Sequence, residues 1–251
     1  MDLGLTDRVY VLTGASKGLG YATARALADD GARVVISART PSSVDEAVAN
    51  LGPASTGVAA DLTDPGTPEL LVHTAMERFG RFDGALISVG GPKLGTALQH
   101  ADDDWRDAFE TVFLGVVRAA RTFAAALSEG GSLVFVLSTS TRVPLPGLGL
   151  SNGLRPGLAG VAKDMADELG PRGIRVVSLL PGRVLTDRNR EIFAASGDAA
   201  RAEADAATKV PLGRLGRPEE FGRVAAFVLS PAASYLTGLQ IPVDGGSLRM
   251  L

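Results

Sequence analysis

Two stretches of this 251-residue chain hold residues whose types and spacing suit chemistry. The first is TGASKGLG, residues 13 to 20, in which Gly14, Gly18 and Gly20 stand between an apolar run and an amphipathic segment. One glycine lets the backbone turn sharply and another lets it approach a pyrophosphate. The start of the following helix then offers unpaired N–H groups and the positive end of its dipole to phosphates. The second is GLGLSNGLRPG, residues 147 to 157, where Ser151 and Arg155 stand four residues apart. A serine hydroxyl is a poor acid, and a guanidinium keeps its proton while offering five donors. Arg155 could hold ribose hydroxyls or steady a developing oxyanion, and a water held by a serine could close a proton path. The alternative is that both residues cap and anchor a helix expected to begin near Pro156.

The elements that must position these residues are legible as alternating patterns. RVYVLTG (8–14), ARVVISAR (32–39), FDGALISVG (82–90), SLVFVLSTS (132–140) and IRVVSLLPG (174–182) are short continuous apolar runs, as expected of strands buried on both faces of a parallel sheet. STGVAADL (55–62) and LQIPVDGG (239–246) are weaker strand candidates. Helical spacing follows the glycine turn up to Gly31, fills PELLVHTAMERFG up to Gly80, and returns in PGLAGVAKDMADELGPRG and PEEFGRVAAFVLSPAAS. Residues 102–128 read as one long helix with acidic residues at its start, where the helix dipole favours them. The β-α order predicts a doubly wound, Rossmann-like α/β fold, with about seven parallel strands between helices. No Pro/Gly/Ser linker divides residues 1–251, so one domain is expected.

Composition narrows the function. Apolar residues make up 45% and charged residues 21%, and the net charge of −3 gives no basic field for nucleic acid or an anionic membrane. There is no cysteine, and His73 and His100 lack ligand spacing, so no metal site is expected. The apolar runs are strand-length, short of the ~20 residues that span a bilayer, and no leader pattern is seen, so a cytoplasmic location is expected. The second strand ends at Arg39, where an acidic residue would hold NAD ribose hydroxyls, and Lys17 sits in the glycine turn. Two cations near the adenosine ribose suit a 2′-phosphate, which favours NADP(H) over NAD(H).

The TGxxxGxG turn, Asp61-Leu62 after the third strand, Ser138 ending the fifth, Pro181-Gly182 with Thr186 after the sixth, and IPVDGG together resemble the short-chain dehydrogenase/reductase family, nearest to its 3-oxoacyl-(acyl carrier protein) reductases. The resemblance implies that Gly14, Ser16, Lys17, Gly18, Leu19 and Gly20 meet the cofactor diphosphate end, with Asp61 and Leu62 at the adenine. It further implies that Ser88, Gly90, Pro181, Gly182, Val184 and Thr186 contact the cofactor toward its nicotinamide, and that Ser138 binds the substrate oxygen. Similar enzymes use an Asn-Ser-Tyr-Lys group. Here the tyrosine position holds Ser151, the lysine position Arg155 and the asparagine position Val112, while the usual Asn-Asn-Ala-Gly segment reads Ser88-Val89-Gly90-Gly91. Tyr10, Tyr21 and Tyr235 lie elsewhere in the topology, and Lys163 comes two turns too late.

The expectation is an atypical NADP(H)-dependent reductase of a carbonyl or 3-oxoacyl substrate, with Ser138, Ser151 and Arg155 as its catalytic group. Two rivals stand beside it: a catalytically silent subunit paired with an active family member, and a non-redox dehydratase or isomerase. A substrate lid is expected at 184–215, with Arg183, Arg188 and Arg190 at its mouth. The apolar TRVPLPGLGL (141–150) is expected as the opposite wall. Family members pair through long central helices, here 102–128 and 155–169, which implies a homodimer or homotetramer.

Overall fold

Mostly apolar residues along the short runs leave both sheet faces in need of cover, and the chain provides it with helices on each side. The computed structural model describes residues 2–194 and 197–250, with the side chain of Arg188 outside that description. Its strands are β1 (Val9–Thr13), β2 (Arg33–Ala38), β3 (Ser55–Ala59), β4 (Gly84–Ile87), β5 (Ser132–Val136), β6 (Arg175–Pro181) and β7 (Leu239–Val243). They pair in parallel in the order β3-β2-β1-β4-β5-β6-β7. The order reverses between β1 and β4. Connections from these two strands leave in opposite directions, which opens a crevice at their carboxyl ends. All seven expected strands form within the stretches read from the sequence, and the whole is a single Rossmann-like domain.

Helices α1 (Gly18–Asp29), α2 (Pro41–Leu51) and α9 (Pro218–Leu229) cover one face through a core that includes Leu27, Leu51, Leu86 and Phe221. Helices α3 (Thr67–Phe79), α5 (Gly115–Ala126) and α6 (Gly149–Leu169) cover the other, around Leu71, Phe123, Phe135 and Leu158. Two short helices, α7 (Asp187–Ala194) and α8 (Ala199–Ala207), follow β6 and pack on each other through Phe193, Ala206 and Val210. Among the described residues, no helix is long and apolar enough to cross a membrane.

Three helices depart from the sequence reading. Helix α2 was not expected, although its buried Val44, Ala47 and Leu51 keep helical spacing behind a proline in the first turn. The long helix expected over 102–128 is not uniform: α4 (Asp102–Ala108) passes through a wide, π-wound stretch, Phe109–Leu114, before α5 begins. Helix α6 starts at Gly149 rather than near Pro156, which lies inside it. Its glycines are required by neighbours: a Cβ on Gly149 would come within 2.5 Å of the Ala97 amide nitrogen, and one on Gly153 within 2.8 Å of the Trp105 ring.

One buried charge organises the far side of the sheet. Arg175 on β6 is 7% exposed and donates to the carbonyls of Val228, Leu229 and Ser230 at 2.8, 3.2 and 2.9 Å. Val228 and Leu229 carry the last carbonyls of α9, which have no partner along their own helix, and Ser230 is the residue that ends it. Ser132 Oγ donates to Leu229 O at 2.8 Å, and the buried Tyr10 hydroxyl reaches the same oxygen. Burial pushes the Arg175 guanidinium down from its usual range and the Tyr10 phenol up.

Candidate active site

The glycine turn lies at the carboxyl end of β1, beside the reversal of strand order. Gly14 and Gly18 both take φ of +58°, a conformation that disfavours any side chain. A Cβ on Gly14 would stand 2.7 Å from Ser88 O, and one on Gly20 would stand 2.6 Å from Gly14 O. Thr13 Oγ1 donates to Ser88 O at 2.7 Å and accepts the Ser88 amide at 2.9 Å, which locks the ends of β1 and β4 together. Lys17 is the residue before α1, and no side chain caps that helix. Bare backbone and an uncapped helix start beside the exposed Lys17 suit the diphosphate of a dinucleotide, and Arg39 is exposed just past the end of β2. Past the carboxyl end of β3, Asp61 accepts the Thr63 amide at 3.0 Å, and Arg118 donates to the carbonyls of Leu62 and Thr63.

A cavity of about 210 Å³ opens past the carboxyl ends of β4, β5 and β6. Its wall brings together Ser138, Ser151 and Arg155, the group read from the sequence, with Leu19 of the glycine turn and Pro181, Gly182, Val184 and Thr186. Ser151 and Arg155 are 5% and 6% exposed. Ser151 Oγ shares a 3.0 Å hydrogen bond with Ser140 Oγ, and Ser138 Oγ accepts the Ser140 amide at 3.1 Å. Arg155 Nη1 donates to Val136 O at 3.0 Å, so the guanidinium is anchored to the end of β5. The capping half of that alternative does not hold, whereas its anchoring half fits these contacts, which tie α6 to Ser140 and to the end of β5. Ser151 is inside the first turn of α6, whose preceding residue is Leu148, and Arg155 lies one turn further in.

Gly182 sits where a Cβ would come within 2.6 Å of Asp244 Cβ, so the PG and VDGG segments need that glycine. Thr186 joins the cavity to a larger groove of about 750 Å³ that runs between α1, α9 and α7. Arg190 lines this second groove with Arg25, Arg217 and Arg223 rather than the cavity that holds Ser151, and Arg183 is exposed. The Arg188 side chain lies outside the described residues, as do Ala195 and Ser196 of the expected lid. Of the stretch 141–150, Leu148 reaches the cavity wall while Val143 is exposed.

The tyrosines are away from this site. Tyr10 is in the core, Tyr21 hydrogen-bonds Arg25 on α1, and Tyr235 is fully exposed. Lys163 pairs with Asp167 at 2.8 Å on the outer side of α6. Val112 is buried in the π-wound stretch and offers no polar atom where similar enzymes keep asparagine. Sequence reading missed Lys93, Leu94, Asn189 and Ile192, all on the cavity wall. The available signal was positional: Lys93 follows the carboxyl end of β4, beside the reversal in strand order, where α/β sheets bind ligands.

A family model described as enoyl-(acyl carrier protein) reductase matches residues 14–247. Dehydrogenase/reductase SDR family member 4 of Bos taurus is 33% identical over 253 residues, covering 98% of this chain and 89% of that relative. L-sorbose reductase from Gluconobacter frateurii, solved in complex with NADPH and L-sorbose, has a TM-score of 0.95 at 28% identity, with 100% of both chains covered. A short-chain oxidoreductase from Pseudomonas aeruginosa PAO1, described as containing an atypical catalytic center, has a TM-score of 0.92 at 29% identity, again over 100% of both chains.

Proposed function

The chain belongs to the short-chain dehydrogenase/reductase family, and from that premise we propose that it is an atypical NADP(H)-dependent oxidoreductase that reduces the carbonyl of an apolar, 3-oxoacyl-type substrate. The observation that carries this reading is the single cavity where Ser138, Ser151 and Arg155 meet the segment Pro181–Thr186 and the glycine turn's Leu19. When bound, the reduced cofactor supplies a hydride. Gly14, Ser16, Gly18, Leu19 and Gly20 hold its diphosphate on bare backbone and the helix start. Asp61 and Leu62 meet the adenine, and Ser88, Gly90, Pro181, Gly182, Val184 and Thr186 keep the nicotinamide against the cavity. Ser138 and Ser151 bind the carbonyl oxygen. Arg155 faces it as a fixed positive charge, which favours the negative charge that develops there. Leu94, Leu148 and Ile192 suit an apolar chain over a sugar.

The preference for a 2′-phosphate is supported by Lys17 and Arg39, and by the NADPH held in the sorbose reductase neighbour. Arg39→Asp is expected to weaken NADPH binding by about 10–100-fold, the worth of one charge-assisted hydrogen bond, without a matching loss for NADH. Calorimetric titration of both dinucleotides checks it, and equal losses for the two would remove Arg39 from phosphate recognition.

The reading itself is tested by NADPH titration followed by turnover on ketones and 3-oxoacyl thioesters. Binding with turnover is the expected result; absence of binding at millimolar cofactor overturns it. One feature favours a silent subunit as the second reading: Ser151 and Arg155 already hold protein partners, Ser140 and Val136. Binding without turnover, together with co-purification of an intact Tyr-Lys reductase, would select it. In either case, assembly as a homodimer or homotetramer would use the outer faces of α4, α5 and α6, where Phe109 is exposed and stacks on Phe113.

A further inference from the structure

Reduction of a carbonyl needs a proton at its oxygen, and the cavity wall restricts where that proton originates. Most of the wall is aliphatic, glycine or proline; its other groups are the hydroxyls of Ser138, Ser151 and Thr186, the amide of Asn189, and two cations, Lys93 and Arg155. Hydroxyls and amides are far too weakly acidic, and a guanidinium does not give up its proton in a protein. An ammonium does, and lysine serves as a general acid elsewhere. Among the side chains described on this wall, that leaves Lys93 as the alternative to a water held by the serines.

The loop that carries Lys93 is held against the helix that carries Ser151. The Gly95 amide donates to Gly147 O at 2.9 Å, and the Gly149 amide donates to Gly95 O at 2.8 Å, so the two segments run side by side. Lys93 Nζ lies 2.9 Å from Asp104 Oδ1. The other oxygen of Asp104 accepts the Ala101 amide at 3.1 Å, and His100 Nδ1 stands 3.5 Å from it, on a side chain that is 1% exposed. The Lys93 hydrogen bond, aided by the Ala101 amide and His100, holds the Asp104 carboxyl below the usual carboxylate range. Lys93 itself is 67% exposed, so one side of the ammonium meets solvent while its chain lines the cavity.

We propose that Lys93 is the proton donor of this cavity, in the role a phenol fills in similar enzymes, and that Asp104 is its positioning residue. The assignment rests on the carbonyl-reduction reading above. The carbonyl carbon takes a hydride from the reduced nicotinamide dinucleotide, which is left oxidised, and the C=O π pair moves onto oxygen. The oxygen forms its O–H bond as an N–H bond of Lys93 breaks. The neutral amine then regains a proton from water, while Ser138, Ser151 and Arg155 hold the oxygen throughout.

The experiment compares wild type with Lys93→Met, Lys93→Arg and Asp104→Asn, using NADPH with acetoacetyl-coenzyme A as the 3-oxoacyl probe. Both Lys93 variants are expected to lose about 100-fold or more in kcat, the lower end of a positioned acid's contribution, with KM and calorimetric NADPH affinity little changed. Asp104→Asn is expected to lose less. Arginine keeps the charge and the Asp104 pair but not the proton, so wild-type kcat in Lys93→Arg would overturn proton donation in favour of electrostatics. Undiminished kcat in Lys93→Met would overturn any role. A wild-type chain that binds NADPH yet reduces neither this thioester nor the ketone panel overturns the reduction reading, and Lys93's role falls with it.

Discussion

Gly20→Val is expected to cut NADPH affinity at least about 100-fold and to lower stability by about 1–3 kcal/mol, the usual cost of overpacking. The added carbon meets Gly14 O at 2.6 Å and Ala15 Cα at 2.8 Å, both backbone, so the turn itself has to open. An opened turn misaligns the helix-start amides that would face a diphosphate. Gly90→Ala is the internal control, because no heavy atom lies within 4 Å of its Cβ. Its melting temperature should match wild type, so any weaker NADPH binding would report a ligand contact rather than a folding defect. Calorimetry with thermal melts measures both. Wild-type affinity in Gly20→Val would remove the turn from the cofactor site.

Arg175→Met is expected to destabilise the fold by about 2–4 kcal/mol, or about 5–15 °C in a protein of this size. Methionine fills much of the same volume but leaves the carbonyls of Val228, Leu229 and Ser230 without the guanidinium that now binds them. Loss of a desolvated charge returns part of that cost, which keeps the expected range below the largest buried-pair values. Ser132→Ala removes one donor to Leu229 and should cost about 1 kcal/mol. Urea and thermal unfolding of the three proteins check the order; an Arg175→Met midpoint equal to wild type would show that the guanidinium does not hold the end of α9.

The sheet was legible because its central strands are buried on both faces and so write continuous apolar runs, from RVYVLTG to IRVVSLLPG, whereas the edge strands β3 and β7 are only partly buried and read more weakly. The glycine turn was legible for a local reason, the backbone geometry at Gly14 and Gly18. The start of α6 was hidden because Gly149, Gly153 and Pro156 read as breakers, whereas the first two are glycine to admit Ala97 and the Trp105 ring. Only the fold brings those partners near. The wide stretch at Phe109–Leu114 was equally invisible, since its residues are ordinary helix formers and nothing local marks the change of winding. Ser138, Ser151 and Arg155 were found through the resemblance to the family, matched position by position, and the structure gathers them. Lys93 was missed because its partner Asp104 and its cavity neighbour Ser151 are apart in sequence and are brought together by the fold, in part through the Gly95 bridge to Gly147 and Gly149.

The wide stretch also fixes an azimuth. The wide turn absorbs one residue more than an even coil would hold, so α4 and α5 keep a common phase. Deleting one residue between Phe109 and Leu114 would let the coil tighten to even winding at nearly the same azimuth, and Trp105 would keep its seat on Gly153. Because Trp105 is the sole indole in the chain, an unchanged emission maximum in such a deletion would record this directly.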